Sequence, residues 1–289
     1  MQIKKRIPIS VMVGSALTSL TIYSILEHKR VLDKTSVQWQ IWEDPPPYST
    51  VPLKLKYYPL PHHNFSDKIA FVIMASSVNR NLHLCQRKTF LRQAKHTWAF
   101  SDTSDGIFTL TLPTLEGKRS WENAQHRQLR GMQWLITQEN NKLAKIEWIF
   151  MIDDDTWVNM PVLHAFLNFI LWPPPRDNQT FMCGYYYKNG AFNGGGGILL
   201  NRALFDYVVP RLYSESCPFL GVNDATITEC ARKANATFMH SGQFSFYPHG
   251  IESANDFIEQ VTMHPVKDCD LMQAMTRTSE RFFKSKTVI

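Results

Sequence analysis

The stretch "IFMIDDDTWVN", Ile149 to Asn159, decides the fold. Four apolar residues run directly into Asp153, Asp154 and Asp155. A short apolar run reads as a buried strand, and its end fixes in space whatever follows. Three adjacent carboxylates repel one another, so their placement there asks for a positive partner. A solvated turn with a helix cap is the plain alternative for such a triplet.

Outward from this stretch, strand and helix patterns alternate. "KIAFVIMA" (68–75), "GIFTLTL" (106–112) and "IEWIFMI" (146–152) read as strands. "LCQRKTFLRQAKHTW" (84–98) and "SWENAQHRQLRGMQWLI" (120–136) read as helices. In the second, Ser120 and Asn123 offer a capped start, and Met132, Leu135 and Ile136 an apolar face. Asn159-Met-Pro161 opens a further helix, with proline in its tolerated first turn. Such alternation predicts a three-layer α/β fold with a largely parallel sheet. Ligands in these folds gather at the carboxyl ends of the strands, where the triplet sits. Aspartate oxygens there suit a hard divalent ion such as Mg²⁺ or Mn²⁺, which keeps positions open for the oxygens of a diphosphate.

Three later segments carry candidate chemistry. "KNGAFNGGGGILLNR" (188–202) holds five of the 13 glycines between Gly190 and Gly197. Glycines crowded before an apolar strand permit unusual backbone angles or close ligand approach; a flexible loop is the alternative. The spacing is neither a Walker nor a dinucleotide pattern. In "CPFLGVNDATITEC" (217–230), Asn223 is a candidate cap for a helix bearing Asp224. Asp224 reads either as a second cap or as a general base. In "EQVTMHPVKD" (259–268), a strand over 261–263 leaves His264 just beyond it, as a structural hydrogen-bonder or a further ligand for the ion. His249 in "FYPHGI" is a second candidate.

The N-terminus indicates location. Lys4, Lys5 and Arg6 precede 20 uncharged residues, 7–26, and Glu27, His28, Lys29 and Arg30 end the run. A bilayer-spanning helix needs about 20 residues. An uncleaved signal anchor with a cytoplasmic N-terminus is the favoured reading, and a cleaved signal peptide is its rival. Prolines 45, 46, 47, 52, 59 and 61 then mark an extended spacer. Sequons at Asn64, Asn178 and Asn235 agree with a secretory lumen. Of Cys85, Cys183, Cys217, Cys230 and Cys269, none forms a Cys-x-x-Cys pair. One or two disulfides are therefore expected rather than a zinc site, with at least one cysteine left over. The formal charge of +6 is spread along the chain, which argues against nucleic-acid binding.

From about residue 68 to 275 the chain resembles the Fringe and core 1 β1,3-galactosyltransferase group of inverting glycosyltransferases. The resemblance is carried in order by "FVIMASS", "AKHTWAF", "WIFMIDDDTWVN", "FNGGGGILLNRALFDYV", "CPFLGVNDATITEC" and "VTMHPVKD". It implies a GT-A-type three-layer sandwich, and the uncharged run at 7–26 sets a single transmembrane helix before it. Residues 1–6 become a cytoplasmic tail, 7–26 a signal anchor, 27–67 a lumenal stem and 68–289 the catalytic domain of a single-pass type II protein of the Golgi or ER membrane.

By position, the resemblance implies that Asp153 lies toward the nucleotide ribose and that Asp153, Asp155 and His264 form the metal set, with Asp154 close by. Met74, Ala75, Ser76 and Ser77 lie near the uracil. Gly194, Gly195, Gly196 and Gly197 line the donor-sugar pocket, Asp224 is the catalytic base, and Cys217 pairs with Cys230. The implied partners are a UDP-sugar, Mn²⁺ or Mg²⁺, a glycan or glycoprotein acceptor and the membrane, with a homodimer as an option. Galactose is the favoured sugar. N-acetylglucosamine or glucose transfer, and a non-catalytic glycoprotein-binding relative, are the alternatives. The chain departs from the family at Gly194–Gly197, where Gly-Gly-Ala-Gly is common, at Phe246-Tyr247-Pro248 for Phe-His-Pro, and at Asn223, where relatives carry a second acidic residue.

Overall fold

The computed structural model describes residues 65–103, 106, 110–112, 120–169, 179–187, 190–246 and 257–286. The anchor (7–26), nearly all of the stem, Asn64, Asn178 and His249 lie outside the described residues. The chain divides into two compact units, Met1–Gln40 and Ile41–Ile289, and every described residue belongs to the second. Among the described residues no helix is long and apolar enough to cross a membrane.

Ten strands and seven helices follow in chain order among the described residues. They are β1 (Ile69–Met74), α1 (Arg80–Lys88), β2 (His96–Ser101), β3 (Leu110–Thr111), α2 (Ser120–Gln138), α3 (Asn140–Leu143), β4 (Trp148–Asp153) and β5 (Trp157–Val158). Then come α4 (Met160–Phe169), β6 (Phe181–Gly184), β7 (Ile198–Asn201), α5 (Arg202–Val208), α6 (Asn223–Lys233), β8 (Thr237–His240), β9 (Phe244–Phe246), β10 (Thr262–His264) and α7 (Cys269–Lys286). The main sheet has the order β3-β2-β1-β4-β7-β6-β8. β1 pairs in parallel with β2 and β4, and β6 with β8. β7 runs against both of its neighbours.

Near-continuous apolar runs suit strands buried on both faces. Alternate residues of the central strands enter opposite cores. Ile69, Phe71, Ile73, Trp148, Phe150 and Ile152 pack toward α1, α4, α7 and a second, three-stranded sheet of order β5-β10-β9. Ala70, Val72, Ile149, Met151, Ile198 and Leu200 pack toward α2, α5 and α6. The three-layer expectation is therefore met, with a mostly parallel central sheet. Each large apolar side chain so buried contributes roughly 1.5–3 kcal/mol.

One predicted element is corrected. The helix expected over 84–98 ends at Lys88, and a single 3-10 turn, Phe90–Gln93, leads into strand β2. Thr89 Oγ1 donates to the Cys85 carbonyl at 2.7 Å where the helix stops. Residues 96–100 then pair with β1 and bury Trp98 and Phe100, so tertiary pairing overrides local helical spacing. Within the predicted strand 106–112, only Leu110–Thr111 is a strand among the described residues.

The reversal of β7 positions the site. β4 ends at Asp153 on the carboxyl edge of the sheet. Because β7 is antiparallel to β4, its first residue, Ile198, starts at that same edge. The glycine run just before β7 therefore lands beside the acidic triplet.

Candidate active site

The turn after β4 is held from below and from the side. Gln86 Nε2, on α1, donates to the carbonyls of Asp153 and Thr156, both at 2.8 Å. Thr156 Oγ1 accepts from Asp153 N at 3.2 Å and donates to Gly195 O at 2.9 Å. One hydroxyl thus ties the triplet to the glycine run. β5, two residues past the triplet, pairs antiparallel with β10, placing Met263 opposite Trp157. Val266 N donates to Asp155 O at 2.7 Å. His264 is the last residue of β10 rather than one beyond it, and this pairing carries it to the aspartates.

The triplet divides its labour. His264 Nε2 lies 2.9 Å from Asp155 Oδ1 and 3.6 Å from Asp153 Oδ2. Asp153, Asp155 and His264 each offer one ligand atom, all within 4.8 Å of one another. Asp154 instead serves the β1–α1 loop. It accepts from Ser76 N and Asn79 Nδ2, both at 2.9 Å, and from Ser76 Oγ at 3.4 Å.

The electrostatics fit a cation. Burial pushes the Asp153 carboxyl up to about 7, against the attraction of His264, and the neighbouring charges of Asp155, Asp154 and Asp224 add to it. For His264, burial favours the neutral ring, but the Asp155 hydrogen bond and the charges of Asp153 and Asp155 outweigh it and raise the pKa. Crowded, desolvated carboxylates beside an imidazole form a donor set that a divalent ion would relieve.

The glycine run lies between this group and Asp224. Gly194 N donates to Asp224 Oδ2 at 3.2 Å. Asp224 Oδ1 accepts from Ala225 N at 2.7 Å at the start of α6. A Cβ on Gly195 would stand 2.3 Å from the His264 ring, and one on Gly197 2.7 Å from Phe150. Gly197 also has φ of +90°. The absence of side chains is thus required by close approach, at the points where the run meets its neighbours. Burial raises the Asp224 pKa, and the backbone donors Gly194 and Ala225 act against it.

Asn223 is the first helical residue of α6, not its cap, which is Val222. Asn223 Oδ1 accepts from Asp224 N at 2.7 Å. Met74 borders the same region, with Gln125 Nε2 at 3.4 Å and Asn223 Nδ2 at 3.9 Å from its sulfur. Ala75 is buried. Ser77 N donates to Asp102 Oδ1 at 2.7 Å, so the amides of Ser76 and Ser77 are both engaged by carboxylates of the protein. Asp102, Gln86, Gln125 and Gln128 were not legible as site residues, because an isolated carboxylate or a helical glutamine carries no pattern of its own.

Cys217 pairs with Cys230, and Cys85 with Cys269, while Cys183 is a buried free thiol. The first bridge closes the loop that leads into Asn223 and Asp224.

Residues 79–172 match the family model described as Fringe-like. That span includes Asp153–Asp155 and ends before the glycine run, Asp224 and His264. No curated protein matches the chain in a sequence search. Among solved structures, a glycosyltransferase involved in the glycosylation of the major capsid of PBCV-1 matches at a TM-score of 0.44 and 12% identity, over 72% of this chain and 98% of that one.

Proposed function

We propose that this chain is a metal-dependent inverting glycosyltransferase, moving a sugar from a UDP-sugar to a glycan hydroxyl. One observation carries the reading. Asp153, Asp155 and His264 converge on a single point, and Asp224 sits across Gly194 and Gly195 from them. The Fringe-like match over the segment that holds the triplet supports the same class. Galactose as the sugar, the β1,3 linkage and an anchored lumenal location in the Golgi or ER follow from the motif resemblance and the uncharged run at 7–26.

Asp153, Asp155 and His264 would hold Mn²⁺ or Mg²⁺. When bound, such an ion supplies positive charge against a departing diphosphate. The remaining work belongs to the chain. The glycine run brings backbone close to the donor sugar without side-chain obstruction. The Asp224 carboxylate takes the proton from the acceptor hydroxyl as that oxygen attacks the anomeric carbon from the opposite face. Its burial raises its proton affinity, which suits a base, while the Gly194 and Ala225 amides hold it in place. A single displacement inverts the configuration and needs no covalent enzyme nucleophile.

The test is UDP-sugar hydrolysis and transfer by the full chain over a donor panel, with and without Mn²⁺. Metal-dependent turnover of one donor is expected. No turnover with any donor, together with no UDP binding, rejects the reading.

A further inference from the structure

Helix α2 carries two glutamines one turn apart, Gln125 and Gln128, which are 3% and 1% exposed. The Gln128 amide is used at both ends. Its nitrogen donates to Val72 O at 3.2 Å and to Ile152 O at 3.3 Å, carbonyls on the adjacent strands β1 and β4. Its oxygen accepts from Asn223 Nδ2. Gln125 Oε1 accepts from the Asn223 backbone amide at 3.0 Å. Asn223 Oδ1 in turn accepts from Asp224 N at 2.7 Å.

These contacts form one buried chain from Ile152 through Gln128 and Asn223 to Asp224. Its first member immediately precedes Asp153, and its last is the carboxylate across the glycine run. A neutral amide presents a donor and an acceptor on one carbon. Ionised glutamate lacks the donor, and methionine lacks the donor and accepts only weakly. Satisfied and shielded from water, such a network restrains the groups it joins.

We propose that Gln128 is a positioning residue: by bridging Ile152 and Asn223, it sets the separation between the cation group at the end of β4 and the Asp224 carboxylate. The inference rests on the glycosyltransferase reading above. Gln128 need not touch either substrate. It acts through Asn223 on Asp224, and it also explains why an amide at residue 223 is compatible with the site. A carboxylate there could not donate to Gln128 Oε1.

The experiment compares Gln128→Met, Asn223→Leu and the double variant in the full chain. Transfer kinetics are measured beside calorimetric UDP–Mn²⁺ affinity. Misplacement of a reacting group by about 1 Å costs up to roughly 100-fold, so each single variant is expected to lower kcat by about 10- to 100-fold. UDP–Mn²⁺ affinity should stay within about twofold, since the lost interaction acts on the chemical step rather than on donor binding. The double variant should be no slower than the slower single, because both substitutions break one link. Gln128→Leu, which has neither donor nor acceptor, is read the same way if Gln128→Met fails to fold. Wild-type kcat in the Gln128 variants, a parallel loss of UDP affinity, or additive losses in the double variant each overturn the inference. Failure of the wild-type chain to transfer any sugar instead rejects the underlying reading.

Discussion

Gly195 lies under the His264 ring so closely that a Cβ on it would come within 2.3 Å of the imidazole. The glycine is therefore a steric condition for the placement of the His264 ring 2.9 Å from Asp155 Oδ1. Gly196 differs: a Cβ there would meet Asn193 Oδ1 at 3.1 Å and Phe244 O at 3.2 Å. Gly195→Ala is expected to abolish Mn²⁺-dependent UDP binding, while Gly196→Ala, the residue common in relatives, retains it. Calorimetric titration of both variants decides this, and equal binding by the two would refute the steric argument.

Asp155 and Asp224 should separate binding from chemistry. Asp155→Ala removes a member of the cation group and is expected to eliminate metal-dependent nucleotide affinity. Asp224→Asn keeps the shape of a side chain that lies outside that group. A general base contributes about 10²- to 10⁴-fold, so this variant should lose transfer by that factor and still bind UDP with Mn²⁺. Transfer at the normal rate by Asp224→Asn would exclude Asp224 as the base.

Asp154 is predicted to act on the loop rather than on the ion. It anchors Ser76 and Asn79 through three hydrogen bonds. Each such hydrogen bond contributes about 0.5–1.5 kcal/mol net. Asp154→Ala should therefore raise the donor KM roughly 10-fold or more, by the same energetic scale. Affinity for Mn²⁺ alone should fall less than in Asp155→Ala, and an equal fall would place Asp154 among the ligands after all.

What the sequence disclosed and what it withheld follow from how each feature is encoded. The apolar runs of β1 and β4 and the three aspartates at the end of β4 are local, so they could be read directly. The convergence of His264 on Asp155 depends on β5–β10 pairing, which motif order implied but spacing could not demonstrate. The opposite turn of Asp154 was hidden, because three neighbouring aspartates look alike until the β1–α1 loop is seen to claim one. Strand β2 was misread because Thr89 is a weak stop signal and β2 owes its form to pairing with β1. The Gln128–Asn223 link joins polar residues on separate helices and leaves no local trace.

The two disulfides should differ in weight. Cys85–Cys269 joins α1 to α7 across 184 residues, whereas Cys217–Cys230 spans 13. Chain-entropy arguments give about 5 kcal/mol for the long closure and about 3 kcal/mol for the short one. Replacing Cys85 and Cys269 together by alanine should lower stability to urea more than replacing Cys217 and Cys230. Nonreducing peptide mass spectrometry should recover both bridges. Cys183 is fully buried, and burial raises its thiol pKa, so alkylation before unfolding would contradict its placement.

His164 on α4 supplies a pH dependence away from the site. Burial pushes its pKa from 6.5 down to about 4, so the folded state holds the ring neutral where the unfolded chain binds a proton. Between pH 6.5 and 4 the unfolded state therefore carries more protons, and stability falls as the solution is acidified. The full effect is on the order of 3 kcal/mol. Asp153 and Asp154 act in the opposite sense, because burial raises both carboxyls to about 7. Their protonated forms favour the folded state, which loses that advantage as pH rises from 3.8 toward 7. The wild-type profile alone mixes these trends, but the difference between wild type and His164→Leu isolates the histidine. Urea unfolding from pH 4 to 7 should show the variant gaining stability relative to wild type as the pH falls. A pH-independent difference would mean that His164 binds protons equally in the folded and unfolded states, and would refute the burial-lowered pKa.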